Sequence, residues 1–365
     1  MTTCPLAPAQ IAATIRNKAM VTLSLLALCT LGLSPFASAK ESAFITFDPP
    51  GSTDTIPNSI NRSGAITGYY FDGNIFHGFL RSPHGVFTTF DFPGATATVG
   101  VSINPAGTIT GYYFSGSLQG HGFVRERKGS LTSFDPVGST ETEPAGINPA
   151  GEICGTYYDA NNVSHGFLRD RDGGITSFDP PGSGGTFVTG INSRGEITGY
   201  YNEGYYQHGF LRSPDGAYTT FDPPGAEVTM PSGINRAGEI IGSFSVNAFT
   251  DYGFVRHRDG VITIFNGPCG DGAGTFPNSI NTAGVIAGQY YGCGEHGFVR
   301  DAEGKLTTFD PHGSTYTVPT SINARGAITG DYTTARGVTH GFLRRVPTTT
   351  KKKLSQELKM SSNLE

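Results

Sequence analysis

Six histidines recur inside one string, His-Gly-Phe-Leu/Val-Arg, at His77, His121, His165, His208, His296 and His340. Histidine titrates near neutrality and binds metals, so such a set would suit general-base chemistry or a metal ring. A second string, Thr/Ser-Phe-Asp, follows each one except the last. If the two strings form the arms of a hairpin, every histidine faces an aspartate. The pairs are then His77 with Asp91, His121 with Asp135, His165 with Asp179, His208 with Asp222, and His296 with Asp310. His340 would face Asp48, at the opposite end of the chain. In one copy Tyr252 takes the histidine place, and Asn266 takes the aspartate place in the same copy. Both partners change together, as a hydrogen-bonded pair requires, and buried polar groups must be paired. The pattern therefore reads as a repeated structural brace, not as a catalytic ring.

Other chemistry is sparse. Tyrosine pairs at Tyr69-Tyr70, Tyr112-Tyr113, Tyr157-Tyr158, Tyr200-Tyr201 and Tyr290-Tyr291 would either pack between repeats or stack on sugar rings. Acidic turns such as Asp170-Arg171-Asp172-Gly173 lack the full set of alternating oxygen ligands of a calcium loop. No Cys/His spacing fits zinc, no glycine-rich loop precedes a helix, and no Gly-x-Ser-x-Gly occurs. No metal or other cofactor is expected, and no catalytic residue is assigned.

The elements that must position these residues come from a repeat. Ile-Asn recurs at Ile60, Ile103, Ile147, Ile191, Ile234, Ile280 and Ile322, spaced 42 to 46 residues apart. Each repeat divides into four short runs of β-branched and aromatic residues bounded by Gly, Pro, Asn or Asp. In the first copy these predict strand A at 57–60, B at 65–70, C at 77–81 and D at 86–90. Four antiparallel strands in about 44 residues match one blade of a β-propeller. The chain ends favour a ring over an open array. Phe44 to Asp48 is a strand D without its A, B and C, and the last copy stops after its C strand at Arg344. One fragment completes the other, and closure removes exposed sheet edges. The expectation is an all-β, seven-bladed propeller over residues 40–345 as one domain, its last blade completed by the N-terminal strand.

The repeat resembles the extracellular HAF-repeat family, with His-Gly-Phe in place of His-Ala-Phe and the Ile-Asn-x-x-Gly segment following. The resemblance spans nearly all of residues 44–345. It implies an extracellular repeat protein and carries no catalytic residues with it.

Export is expected on independent grounds. Arg16 and Lys18 precede an apolar run, Ala19 to Leu33, and small residues lead to Ala39. That is a secretory signal cut after Ala39, too short at ~15 residues for a membrane span of about 20. The mature chain is then secreted or periplasmic, without a membrane span. Residues 346–365 form a basic tail, expected to be disordered. In an oxidising compartment Cys269 and Cys293, in loops at one end of the propeller, are expected to form a disulfide closing about 24 residues, worth ~3 kcal/mol. Cys154 reads as a free thiol in a strand.

With 25 Lys+Arg against 30 Asp+Glu, nothing favours nucleic acid as a partner. The expected function is a non-enzymatic, monomeric binding or structural module, its partner a glycan or another envelope protein. The alternative is a polysaccharide lyase or glycoside hydrolase working at one end of the axis. The A–B turns are nearly uniform Asn-x-x-Gly, whereas the B–C loops differ in every repeat. Varied loops on a rigid scaffold commonly carry binding. That places a ligand at the B–C/D–A end, with Tyr205, Tyr206 and Phe249 as the exposed aromatic candidates.

Overall fold

A computed structural model describes residues 44–116, 119–247, 250–269 and 274–345. The signal segment 1–39, the tail 346–365 and Phe249 lie outside the described residues. The described residues form strands β1 to β28, with turns between them and no helix. The strands group into repeated antiparallel sets of four, hydrogen-bonded in chain order. The first set is β2 (Asp54–Ile60), β3 (Ile66–Phe71), β4 (Phe76–Arg81) and β5 (Phe87–Phe90). Successive sets touch through a single parallel bridge in three places, Phe76 with Ala97, Gln207 with Val228 and Glu295 with Tyr316.

The two chain ends share one sheet. Its order is β1 (Phe44–Phe47), β28 (Thr339–Arg344), β27 (Ile328–Thr334) and β26 (Ser314–Ile322). Phe44 pairs with Arg344 and Phe47 with Gly341.

Strand A begins three residues before its predicted start, at Asp54. The expected start, Pro57, cannot donate to a ladder. In the fold Pro57 pairs with Gly68 and Ser59 with Thr67, so Asn58 is the extra residue of a β-bulge. The bulge breaks the ladder locally and accommodates proline inside the strand.

The core is a series of similar clusters. The phenylalanine of each His-Gly-Phe or Tyr-Gly-Phe string is fully buried: Phe79, Phe123, Phe167, Phe210, Phe254, Phe298 and Phe342. Each such burial contributes ~1.5–3 kcal/mol. The glycine before it makes room for the next aromatic: a Cβ on Gly122 would sit 2.9 Å from Phe134 Cε2.

Two sets of contacts link each repeat to its neighbour. The arginine ending each C strand lies over the phenylalanine of the preceding Phe-Asp or Phe-Asn string, from Arg125 over Phe90 at 4.9 Å to Arg344 over Phe309 at 4.5 Å. Arg81 of the first repeat lies over Phe47 of β1 at 4.8 Å, so the series runs through the chain ends. Several of these arginines keep a buried Nε without a hydrogen bond, and the ring face is what the guanidinium meets instead.

The second set is a circuit of asparagines. Asn61 Nδ2 donates to the Asn104 carbonyl at 3.1 Å, Asn104 to Asn148, Asn148 to Asn192, and Asn192 to Asn235. Asn235 donates to Asn281, Asn281 to Asn323, and Asn323 back to the Asn61 carbonyl at 3.1 Å. Within its own turn, Asn61 Oδ1 accepts from the amides of Ser63 and Ala65. One side chain thus shapes the A–B turn and ties it to the next.

Candidate functional site

The histidines meet their aspartates. Nδ1 to Oδ2 distances are 2.9 Å for His77–Asp91 and His121–Asp135, and 2.8 Å for His165–Asp179. They are 2.6 Å for His208–Asp222, 2.7 Å for His296–Asp310 and 2.8 Å for His340–Asp48. The aspartate's other oxygen accepts from an inner-strand threonine in several repeats, as with Thr55 to Asp48 at 2.8 Å and Thr186 to Asp179 at 2.5 Å. A tyrosine from the B strand lies against each ring, with Tyr70 stacked 5.0 Å from His77. The hydrogen bond to Asp310 raises the His296 imidazole above its ordinary range, against the opposing effect of burial. Each histidine is committed within its own blade, and among the described residues no group of three His, Cys, Asp or Glu could hold a metal.

The tyrosines divide into two populations that the pair reading had merged. Aligned on the preceding glycine, Tyr157-Tyr158 and Tyr290-Tyr291 sit one residue later than Tyr69-Tyr70. Tyr70, Tyr113, Tyr157, Tyr201, Tyr290 and Tyr332 are the ones packed on histidine. The position before them holds Tyr69, Tyr112, Thr156, Tyr200, Ser243, Gln289 and Asp331. That position breaks the repeat.

Tyr205 is fully exposed and Tyr206 is 53% exposed, both at the tip of the hairpin in which Glu203 pairs with Tyr206. Tyr206 has its ring contact with His208, at 6.2 Å. The hairpin does not bring these rings to the repeat-breaking position. Cys269 and Cys293 are joined by a disulfide, with Cα atoms 5.7 Å apart. Cys154 is a buried free thiol, pushed up to about 12 by burial.

Inner strands of five repeats line an open cavity of about 170 Å³, with Ser102, Gly146, Gly190, Ser232, Asn278 and Ser279 on its wall. From Asn278 a hydrogen-bond chain leads toward the B–C/D–A end. Asn278 Nδ2 donates to Gln289 Oε1 at 3.0 Å, and Gln289 Nε2 donates to the Tyr291 hydroxyl at 2.9 Å. The Tyr291 and Tyr316 hydroxyls are 3.3 Å apart, and their rings stack 6.4 Å apart at 17°. Two strands of the sixth repeat carry this chain, β22 (Thr275–Ile280) and β23 (Ile286–Tyr290), with Tyr291 just past β23 in the loop before β24 (His296–Arg300). β26 supplies Tyr316, which also bridges in parallel to Glu295, two residues beyond the disulfide's Cys293.

Two carboxyls act on Tyr316, Glu295 and Asp331. Asp331, in β27, is 8% exposed, and burial raises its carboxyl to about 7, its own amide opposing. Desolvation also raises Glu295. Tyr316 is raised by burial first and then by Tyr291 and the two acids. In the third and fourth repeats burial, and next Glu143, raise Tyr158 and Tyr200 to about 12. Phe187 stacks on Tyr200 at 4.8 Å. The sequence signal for this site was available: Gly330-Asp331-Tyr332 stands where the first repeat has Gly68-Tyr69-Tyr70.

Fold and geometry together define an all-β protein of propeller-type blades. Its structural neighbours are β-propeller proteins, some of them enzymes. Virginiamycin B lyase from Staphylococcus aureus superposes with a TM-score of 0.57 at 14% identity, over 83% of this chain and 99% of that one. A streptogramin B lyase gives 0.54 at 15% identity, over 82% and 97%. Puromycin hydrolase gives 0.55 at 12% identity, over 80% of this chain and 52% of that one. At these identities the likeness is one of fold. No family model and no curated protein matches the chain.

Proposed function

We propose that this chain is an exported, seven-bladed propeller of the HAF-repeat kind, closed by β1, and that it is a non-enzymatic binding module working through its B–C/D–A end. The observation that carries this reading is the contrast between the two ends. At the A–B turns the asparagine circuit repeats one contact from Asn61 round to Asn323 and back. At the other end the repeat is broken by Gln289, Tyr291, Glu295 and Tyr316, which meet in one polar seam, and by Asp331, buried in the neighbouring β27. A uniform end holds the scaffold, and a varied end presents it. A glycan or another envelope protein fits this reading. The His–Asp pairs serve it only by bracing blades.

A second reading, a polysaccharide lyase or glycoside hydrolase, draws on the two raised carboxyls beside a tyrosine hydroxyl. A carboxyl near 7 is a competent acid or base at neutral pH.

The test is a glycan array probed with the mature protein and with the Tyr291→Phe/Tyr316→Phe double variant, with turnover of the bound glycans followed in parallel. The expected result is saturable binding without turnover, weakened at least ~10-fold in the double variant. Turnover that the double variant loses would establish the second reading instead. Binding insensitive to both tyrosines but lost on changing the Asn-x-x-Gly turns would put the site at the wrong end.

A further inference from the structure

The inner strands carry a second set of contacts beside the asparagines, and it is interrupted. An isoleucine precedes each asparagine of the circuit, and a serine or a glycine precedes the isoleucine. Where that residue is serine, its hydroxyl accepts from the isoleucine amide of the following repeat. Ser59 Oγ receives the Ile103 amide at 3.3 Å, Ser102 that of Ile147 at 3.4 Å, and Ser279 that of Ile322 at 3.2 Å. Across the chain ends Ser321 receives Ile60 at 3.3 Å. In the third, fourth and fifth repeats the residue is Gly146, Gly190 and Gly233. The amides that would meet a hydroxyl there belong to Ile191, Ile234 and Ile280. The four isoleucines served by serine are buried, whereas these three are partly exposed. The three glycines and these three isoleucines all line the cavity of about 170 Å³.

The backbone does not demand glycine at these places, for none of the three has a positive φ. A Cβ on Gly146 would lie 3.5 Å from Ile191 Cγ2 and 3.7 Å from the Ile191 nitrogen. One on Gly190 would lie 3.9 Å from the Ile234 nitrogen, and one on Gly233 would meet nothing within 4 Å. These are ordinary contacts, so serine would fit as it does in the other repeats. Its replacement by glycine opens three successive amides to one cavity. The next amides along, those of Asn192, Asn235 and Asn281, bond back across their own hairpins to Glu196, Glu239 and Val285. Bonded and non-bonded pairs alternate along an antiparallel ladder, so each isoleucine turns its amide and carbonyl away from its hairpin.

We propose that this cavity binds a neutral polyhydroxyl group, a single saccharide unit or polyol, whose hydroxyls take the places of the three missing serine Oγ atoms. A hydroxyl both accepts and donates, so it can satisfy an amide and a carbonyl on the same strand edge. The γ2 methyls of Ile191 and Ile234, beside the glycines, suit the C–H faces of a sugar ring. An anion could only accept. It would also face Glu152, Glu196 and Glu239 in the adjoining turns of the same three repeats, where each carboxylate accepts from its own asparagine's Nδ2 at 2.6 or 2.7 Å. The cavity has room for several waters and is on the scale of one monosaccharide unit. It is separate from the tyrosine seam, and the proposal does not rest on the working end inferred above.

The test is ligand-detected NMR, by saturation transfer and titration, of the mature, oxidised protein. The probes are myo-inositol, glucose, galactose and mannose, with phosphate and acetate for comparison. At least one of the four polyols is expected to bind saturably and at least ~10-fold more tightly than either anion. The variant Gly146→Ser/Gly190→Ser/Gly233→Ser closes the gaps with the protein's own hydroxyls. It is expected to melt no lower than the parent and to bind the polyol at least ~10-fold more weakly. Should the triple variant fold poorly, Gly233→Ser alone, whose Cβ has open space, is expected to weaken binding in the same direction. Absence of saturable binding by all four polyols, equal binding of phosphate or acetate, or polyol binding unchanged in the serine variants would each overturn the proposal. Polyol binding lost in Tyr291→Phe/Tyr316→Phe but kept in the serine variants would overturn it too, and would put the sugar at the seam.

Discussion

A chain lacking residues 40–48 is expected to lose its cooperative thermal transition or to associate. The deletion removes β1, whose four residues pair with β28 from Gly341 to Arg344. It also takes Phe47 from beneath Arg81 and Phe44 from its ring contacts with Phe309 and Phe342. Asp48 leaves His340 and Thr55 without their partner. Loss of two largely buried phenylalanines alone removes roughly 3–6 kcal/mol, against a typical total stability of about 5–15 kcal/mol. The exposed edge of β28 then offers unpaired backbone groups to a second chain. Circular dichroism melting with light scattering reads both outcomes. An unchanged melting temperature in a monomer would remove the case for closure by this strand.

The second large effect concerns Asp331, whose replacement by asparagine is expected to stabilise the protein at neutral and alkaline pH. Burial raises this carboxyl from 3.8 to about 7. A raised acid favours the folded state only while protonated, so its ionisation destabilises the fold. Below about pH 4 the group is neutral folded and unfolded, and parent and variant should differ little. Between about pH 4 and pH 7 the parent should lose stability relative to Asp331→Asn, toward a ceiling of ~4 kcal/mol above pH 7. Urea unfolding of both proteins across this range checks the sign. A parent more stable than the variant at about pH 8 would mean that a cation or donor already satisfies the carboxylate.

Much of the fold was legible because the signals were local and repeated. His-Gly-Phe, Phe-Asp and Ile-Asn fixed where the strands lie, and the missing strands at the two ends indicated which partner β1 would find. The start of strand A was not legible, since Pro57 reads as a boundary until the bulge at Asn58 is seen. The asparagine circuit and the arginine–phenylalanine stacks were not legible either. Each joins residues a full repeat apart, and sequence shows only that asparagine and arginine recur, not that each reaches into the neighbouring blade.

The candidate site was partly legible for a different reason. The B–C/D–A end followed from loop variability, and exposed aromatics were sought on it. Tyr205 and Tyr206 met that criterion at a hairpin tip, while the repeat-breaking residues range from buried Gln289 and Asp331 through half-buried Tyr291 and Tyr316 to exposed Glu295. Asp331 was hidden in a slot read as a tyrosine pair. Only alignment on the preceding glycine separates the tyrosines packed on histidine from the position that varies.

Hydrogen–deuterium exchange with the array-selected glycan bound shows whether this protein binds through the B–C/D–A end. Slowed exchange is expected in 291–296, 314–317 and 331–334, with the Asn-x-x-Gly turns at 61–64, 104–107 and 148–151 unchanged. Protection confined to those turns, with the seam between the sixth and seventh repeats unaffected, would contradict it.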